Sequence, residues 1–191
     1  MSDIQIVNPE QKSAYDSPWS VSQRFMRVLW EFCWTVFCVW TPKPLNEWRL
    51  FWLRVFDAKI NGKPFVHQRA RIAIPANLTL HDRACLGDRT NVYSLGEIEI
   101  GARATVAQEV YLSSASHDFN DPAMPLTVAK IEIGEDAFIG ARAVVLPGVR
   151  IGARAVVGAG SVVTKDVPDN VVAAGNPCRV MRSRADESHI S

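Results

Sequence analysis

Between Ile131 and Pro168 an aliphatic residue returns at every sixth position: Ile133, Ile139, Val145, Ile151, Val157 and Val163. Four places after each stands a compact one: Ala137, Ala143, Val149, Ala155, Ser161 and Val167. A helix repeats every 3.6 residues and a strand every two, so a sixfold pattern means a chain that turns a corner once per hexapeptide. Three corners close a triangle, with both members of each pair pointing into a lumen too narrow for anything larger. Stacked coils then pair their strands at about 4.8 Å and bury one another's apolar rows. Gly134, Gly140, Gly152 and Gly158 directly follow the aliphatic position, where a permissive backbone is expected to ease the bend.

The pattern extends upstream. Val66, Ile72 and Leu78 are six apart with Ala70 and Ala76 at the compact positions; Leu80, Leu86 and Val92 follow with Ala84, Thr90 and Gly96; Ile100, Val106 and Leu112 follow with Ala104, Val110 and Ser116. The register slips by two between Leu78 and Leu80 and between Ile98 and Ile100. Coils beginning near Ile60, Leu80, Ile100, Ile133 and Ile151 predict a solenoid of about five turns over residues 57–170, interrupted by an inserted loop at 118–130. Ahead of it, residues 1–56 read as a polar arm and two amphipathic helices. In the first, Val21 to Val39, Leu29, Phe32, Cys33, Val36 and Phe37 form one face that Trp30 and Trp34 widen, with Arg27 and Glu31 placed to pair. The second, Leu45 to Phe56, carries Trp48, Phe51, Trp52, Leu53 and Val55. These helices are expected to cap the first coil; the alternative is peripheral contact with a membrane surface. The apolar run is too short to span one. Residues 171–191 form a closing segment and tail.

Composition narrows the function. A net charge of +1 with scattered basic residues offers nothing to nucleic acid. Cys33, Cys38, Cys85 and Cys178 show neither metal-type pairing nor a disulfide framework, and the N-terminus lacks a secretory pattern, so a reducing, cytoplasmic setting is expected.

The repeat breaks at Ser114-Ala115-Ser116-His117-Asp118-Phe119. His117 falls five places after Leu112 and should leave the solenoid at a corner beneath the inserted loop. Imidazole near its reference pKa can take a proton from a hydroxyl and return one later, as acyl transfer to an alcohol requires. The competing reading is an ordinary exposed loop histidine. Lys165, Arg179 and Arg182 could cradle phosphates, although by themselves they read rather as ordinary solvated charge near a C-terminus.

With its sixfold repeat, its SASHDF stretch, and the closing runs Gly158 to Pro168 and Val171 to Val180, the chain resembles the hexapeptide-repeat acetyltransferases. Within that family it is most similar to the colanic-acid-type exopolysaccharide O-acetyltransferases, over roughly Trp40 to Arg182. The resemblance implies an all-β solenoid of the left-handed parallel β-helix type, assembled as a homotrimer with active sites at subunit boundaries. It implies acetyl-CoA as acyl donor and His117 as general base in a direct transfer to a sugar or oligosaccharide hydroxyl; no metal is expected, since the histidines are not closely paired. It places CoA contacts at Ala141, Ala159, Thr164, Lys165, Arg179 and Arg182, and an acceptor contact at Asn91. Asp118 is a further acceptor-side candidate that could orient His117, a task a backbone carbonyl could serve equally, with Asp118 then simply facing solvent. Where some relatives have serine, this chain has Ala141, so a contact there is through the backbone. Asn91 and His117 follow different hexapeptides of their coils and should meet only across a subunit boundary. If the acceptor is lipid-linked, the tryptophan-rich helices could hold the protein near the inner membrane.

Three other readings stand beside this one. A zinc-dependent carbonic anhydrase of the same fold needs closely paired histidines, and His67, His81, His117 and His189 are scattered. Acetylation of serine or of a free galactoside would use the same chemistry on another hydroxyl. A non-catalytic scaffold leaves the inserted loop and the closing run unexplained.

Overall fold

A computed structural model describes residues 4–7 and 17–184 of the chain. Much of the arm expected over residues 1–20, the tail from 185 and with it His189 lie outside the described residues. Ahead of the solenoid come a short strand, β1 (Gln5–Ile6), and two helices, α1 (Val21–Phe37) and α2 (Asn46–Val55).

The first coil is built by β2 (Lys59–Ile60), β3 (Phe65–Val66) and β4 (Arg71–Ile72), and the second by β5 (Leu78–Leu80), β6 (Cys85–Leu86) and β7 (Asn91–Tyr93). The third coil has β8 (Ile98–Ile100), β9 (Thr105–Val106) and β10 (Tyr111–Ser113), after which β11 (Ala115–His117) and β12 (Leu126–Val128) leave it as a hairpin. The fourth contains β13 (Ile131–Ile133), β14 (Phe138–Ile139) and β15 (Val144–Val145), and the fifth β16 (Arg150–Ile151), β17 (Val156–Val157) and β18 (Val162–Val163). Corresponding strands stack in parallel into three faces, named here first, second and third in chain order. The five expected coils are complete and a sixth is begun: Val167 bridges to Ile151, and β19 (Val171–Gly175) pairs with β17. The last strand, β20 (Cys178–Ser183), then folds back antiparallel on β19.

The aliphatic positions that define the repeat point inward. Val66, Leu86, Val106, Ile139 and Val157 are completely buried, each stabilising the fold by about 1.5–3 kcal/mol. The two-residue register slips arise on the first face, where β5, β8 and β13 are three residues long and turn both ends inward. Two compact positions depart from the expected pattern: Ala76 is exposed within a 3₁₀ turn (Pro75–Asn77), and Ser116 sits half-buried in the hairpin. Both lie between the third and first faces, the corner where the chain takes its irregular paths.

The glycines act differently from the expectation. Gly134 and Gly140 are not the residues that bend the chain; the left-handed backbone comes two places later, at Asp136 (φ 56°) and Arg142 (φ 61°), and equally at Arg103 and Arg154. What the glycines supply is room. A β-carbon at Gly140 would stand 2.5 Å from the Ala159 amide nitrogen, and one at Gly134 would stand 2.5 Å from that of Ala153, each in the next coil. The left-handed corners cost roughly 1–2 kcal/mol each for residues with a β-carbon. Many carry arginines that reach a carboxylate on an adjacent coil: Arg103 Nε to Asp136 at 2.8 Å, and Arg142 Nε to Glu109 at 2.6 Å.

An open coil edge leaves backbone carbonyls without partners, and the helices satisfy them. Trp30 and Trp34 donate their indole N–H groups to Ile72 O (2.6 Å) and Ala70 O (3.1 Å), and buried Arg49 donates to Val66 O (2.8 Å). Arg49 also donates to the Thr41 hydroxyl and to the carbonyls of Pro42 and Lys43, tying α2 to the segment that enters it. Of the face expected on α1, Cys33 is buried with Trp30 and Trp34, and Leu29 and Phe37 pack beside them, whereas, against expectation, Phe32 and Val36 are exposed. On α1 the large rings win because they bring its donors to the coil edge. Arg27 does not pair with Glu31; its guanidinium lies 5.5 Å from the Trp19 ring.

Candidate active site

The hairpin begins earlier than the expected insertion: it leaves the solenoid at a corner, as expected for His117, but His117 is the last residue of β11, cross-strand from Leu126, rather than a residue below a loop. Its side chain is exposed, and Nδ1 lies 2.7 Å from the carbonyl oxygen of Met124. A carbonyl only accepts, so Nδ1 carries the proton and Nε2 is left with a free lone pair. Met124 itself holds a positive φ of 44°, unusual for a long side chain, and is fixed by donating its amide to Asp121 O. Strain at the residue that orients an imidazole is the kind retained where geometry matters. Asp118 does not orient His117: its carboxylate accepts from the Asn120 amide at 2.9 Å and its own amide donates to Pro125 O, closing the hairpin turn.

Strand β1 is part of this assembly. It adds to β12 in antiparallel register, Gln5 opposite Val128 and Ile6 opposite Thr127, and the Val7 amide donates to Leu126 O. Val7 also packs with Leu95, Ala115 and Leu126 in a small apolar cluster beneath the hairpin. Ile4 borders the recess that holds Thr164 and Lys165. Neither Met124 nor β1 was legible as a site element: a carbonyl has no sequence signal, and a two-residue strand shows no period.

The remaining candidates divide between two corners. His117, Thr164 and Lys165 leave the coils between the third and first faces. Ala141, Ala159 and Arg179 gather between the second and third faces, where the Gly160 amide donates to Ala141 O and Arg179 stands opposite Ala174. Asn91 starts β7 at this same corner and lines a cleft of about 840 Å³ between α1 and the third face, with Tyr93, Arg69 and Arg27. Arg182 lies further back, opposite Val172. One chain therefore holds the parts on opposite edges of its third face and does not bring them together. Among the described residues the guanidinium groups of Arg179 and Arg182 donate only to the carbonyls of Cys178 and Ser183, and none forms an ion pair with Lys165, so these exposed cations keep donors available to an anion.

The other described histidines have local partners. His67 Nδ1 lies 3.2 Å from Asp88, and its burial, opposed by that carboxylate, pulls its pKa below the usual value. His81 Nε2 lies 2.9 Å from Glu99, whose carboxyl is held below its usual range first by Lys130 and then by His81.

A family model described as the hexapeptide repeat of succinyl-transferase matches residues 130–165. The putative colanic acid biosynthesis acetyltransferase WcaF of Escherichia coli (strain K12) is 41% identical over 161 residues, covering 84% of this chain and 88% of that protein. The chain belongs to the hexapeptide-repeat acetyltransferase family. Among solved members, a maltose O-acetyltransferase from Clostridium difficile 630 superposes with a TM-score of 0.75 at 28% identity, over 87% of this chain and 90% of that one. A galactoside acetyltransferase in complex with coenzyme A gives 0.74 at 26% identity, over 89% and 86%. The solenoid is thus the family's left-handed parallel β-helix, an exception to the right-handed rule for parallel crossovers, and the chain is an acetyltransferase.

Proposed function

We propose that the chain is an acetyl-CoA-dependent O-acetyltransferase that acts as a homotrimer on a sugar hydroxyl, in the assembly of a surface polysaccharide. The observation that carries this reading is the His117–Met124 hydrogen bond, which turns Nε2 outward as a base. His117 accepts the acceptor's hydroxyl proton as the oxygen attacks the thioester carbonyl, then returns it to the departing thiolate. No acyl group rests on the protein. General base catalysis of this kind contributes about 10²–10⁴ in rate. Backbone amides at the Ala141 and Ala159 corner are suited to polarise the carbonyl, and Lys165, with Thr164 beside it, and Arg179 and Arg182 from the opposite corner of an adjoining copy, to hold the donor's phosphates. The colanic acid relative and the galactoside O-acetyltransferase of Lactococcus lactis, 38% identical over 134 residues but matched over 58% of its own length, favour a sugar acceptor. Asn91, with Tyr93 beside it, is the acceptor contact this reading assigns; Asp118 keeps the hairpin turn.

The separation of His117 from Ala141, Ala159 and Arg179 supports a trimer, because only an adjoining copy can supply the missing corner. All four cysteines are free, which suits a reducing compartment such as the cytoplasm. The test follows thiol release from acetyl-CoA across a panel of nucleotide sugars and oligosaccharides. Acceptor-dependent release by the wild type, lost in His117→Ala while titration calorimetry still shows CoA binding, is expected; absence of CoA binding would return the chain to a scaffold.

A further inference from the structure

Both N-terminal helices are apolar on two opposite sides. On α1, Trp30, Cys33 and Trp34 are packed against the solenoid, whereas Val21, Phe25, Val28, Phe32 and Val36 are exposed, Phe25 by 64% and Phe32 by 59%. Their spacings of four, three, four and four residues keep them on one stripe, directly away from the coil. On α2, Arg49, Leu50 and Leu53 face the first coil, and Trp48, Phe51 and Val55 form the opposite stripe, also exposed. Between the helices Trp40 is 69% exposed. A helix that buries one stripe in its own fold and shows a second to water has a partner for the second.

Two features identify the partner. The indole N–H of Trp40 donates to Val36 O at 2.6 Å and that of Trp48 to Phe37 O at 2.9 Å, so these exposed rings enter an apolar medium without leaving a donor unpaired. Exposed cations Arg24, Lys43, Arg54, Lys59 and Lys63 outnumber the exposed carboxylates Glu31, Glu47 and Asp57 at this end of a chain whose overall net charge is only +1. A second copy docking through the same surface would set two positive ends together. An anionic sheet of lipid headgroups meets both the charge and the apolar stripes.

We propose that this face docks on an anionic bilayer surface, with α1 and α2 lying in the plane of the interface, the aromatic stripes below the headgroups and the cations at the phosphates. The helices do not enter further, since none among the described residues is long and apolar enough to cross a membrane. The inference is independent of which hydroxyl the site acylates. It places the protein where a lipid-anchored acceptor is delivered.

The test uses the full chain and sucrose-loaded vesicles of phosphatidylcholine alone or mixed with phosphatidylglycerol. Wild type should sediment with the anionic vesicles, less so as salt is raised, and the triple variant Phe25→Ser, Phe32→Ser, Phe51→Ser should partition about tenfold or more weakly. All three positions are exposed, so an unchanged melting temperature and native mass are expected. A charge-reversed variant, Arg24→Glu, Lys43→Glu, Arg54→Glu, leaves the apolar stripes intact and should also lose the anionic vesicles. Failure of the wild type to sediment with any vesicle overturns the proposal, as does equal partitioning of either variant. A drop in native mass for the serine variant would assign the face to another copy of the chain and overturn it too.

Discussion

At the scale of single residues, the fold depends on atoms that are not there. Gly140 and Gly134 keep their places because the next coil's amide stands where a β-carbon would be. Gly140→Ala is therefore expected to lower stability by about 1–3 kcal/mol, as overpacked sites do, visible as a lower urea midpoint. Arg89→Gly, at a left-handed corner (φ 52°) with Glu109 a distant 3.6 Å away, should be close to neutral, because relief of strain offsets the entropy of glycine and the loss of a weak pair. A measured reversal of that order would refute the assignment of roles. The hexapeptide pattern made the inward residues legible, since each obeys a period. The reason for the glycines was not legible, because it resides in the coil stacked above. His117 was legible as a break in the pattern, but its partner is a main-chain carbonyl, which no residue type announces. His117→Ala is predicted to slow turnover by about 10²–10⁴.

At the scale of elements, the helices were legible and their orientation was not. Both sides of α1 carry apolar residues at helical spacing, so period alone could not say which side meets the coil; the indole donors and the unpaired carbonyls of Ala70 and Ile72 decide it. Arg49 makes the same point, a charged residue buried because four acceptors await it. Arg49→Met should cost about 2–4 kcal/mol in a denaturant titration, since it strands the buried acceptors of Val66 and Thr41. The hairpin has its own dependency. Val7→Pro removes the amide that donates to Leu126 O, on the strand facing His117, and should lower turnover severalfold through the loss of about 0.5–1.5 kcal/mol of hydrogen bonding, with CoA affinity unchanged. Equal loss of CoA affinity would place β1 in the donor site instead.

At the scale of the molecule, charged ladders run along the corners. Arg103 holds Asp136 below the usual carboxylate range, Arg142 does so for Glu109, and Lys130 for Glu99. A carboxyl with a depressed folded pKa stabilises above the unfolded value near 4 and loses that contribution as pH falls through the folded one. These groups are exposed or nearly so, and each pair is worth little. The melting temperature should accordingly begin to fall below about pH 6.5, where buried His67 resists a proton that the unfolded chain accepts, and fall further below about pH 4, the second part less steeply in Arg103→Gln. At this scale the sequence already put Asn91 and His117 at different corners, because the hexapeptide count fixes which corner each residue leaves; it did not put Ala141, Ala159 and Arg179 opposite His117, and a single chain does not bring those parts together. The most direct test co-expresses two inactive variants, His117→Ala and Ala159→Trp, the second obstructing the donor corner. If the site forms between copies, mixed assemblies regain roughly a quarter of wild-type activity, since that share of boundaries pairs an intact His117 with an intact Ala159. If the mixture stays as inactive as its components, the catalytic base and the donor corner belong to one chain and the account is wrong.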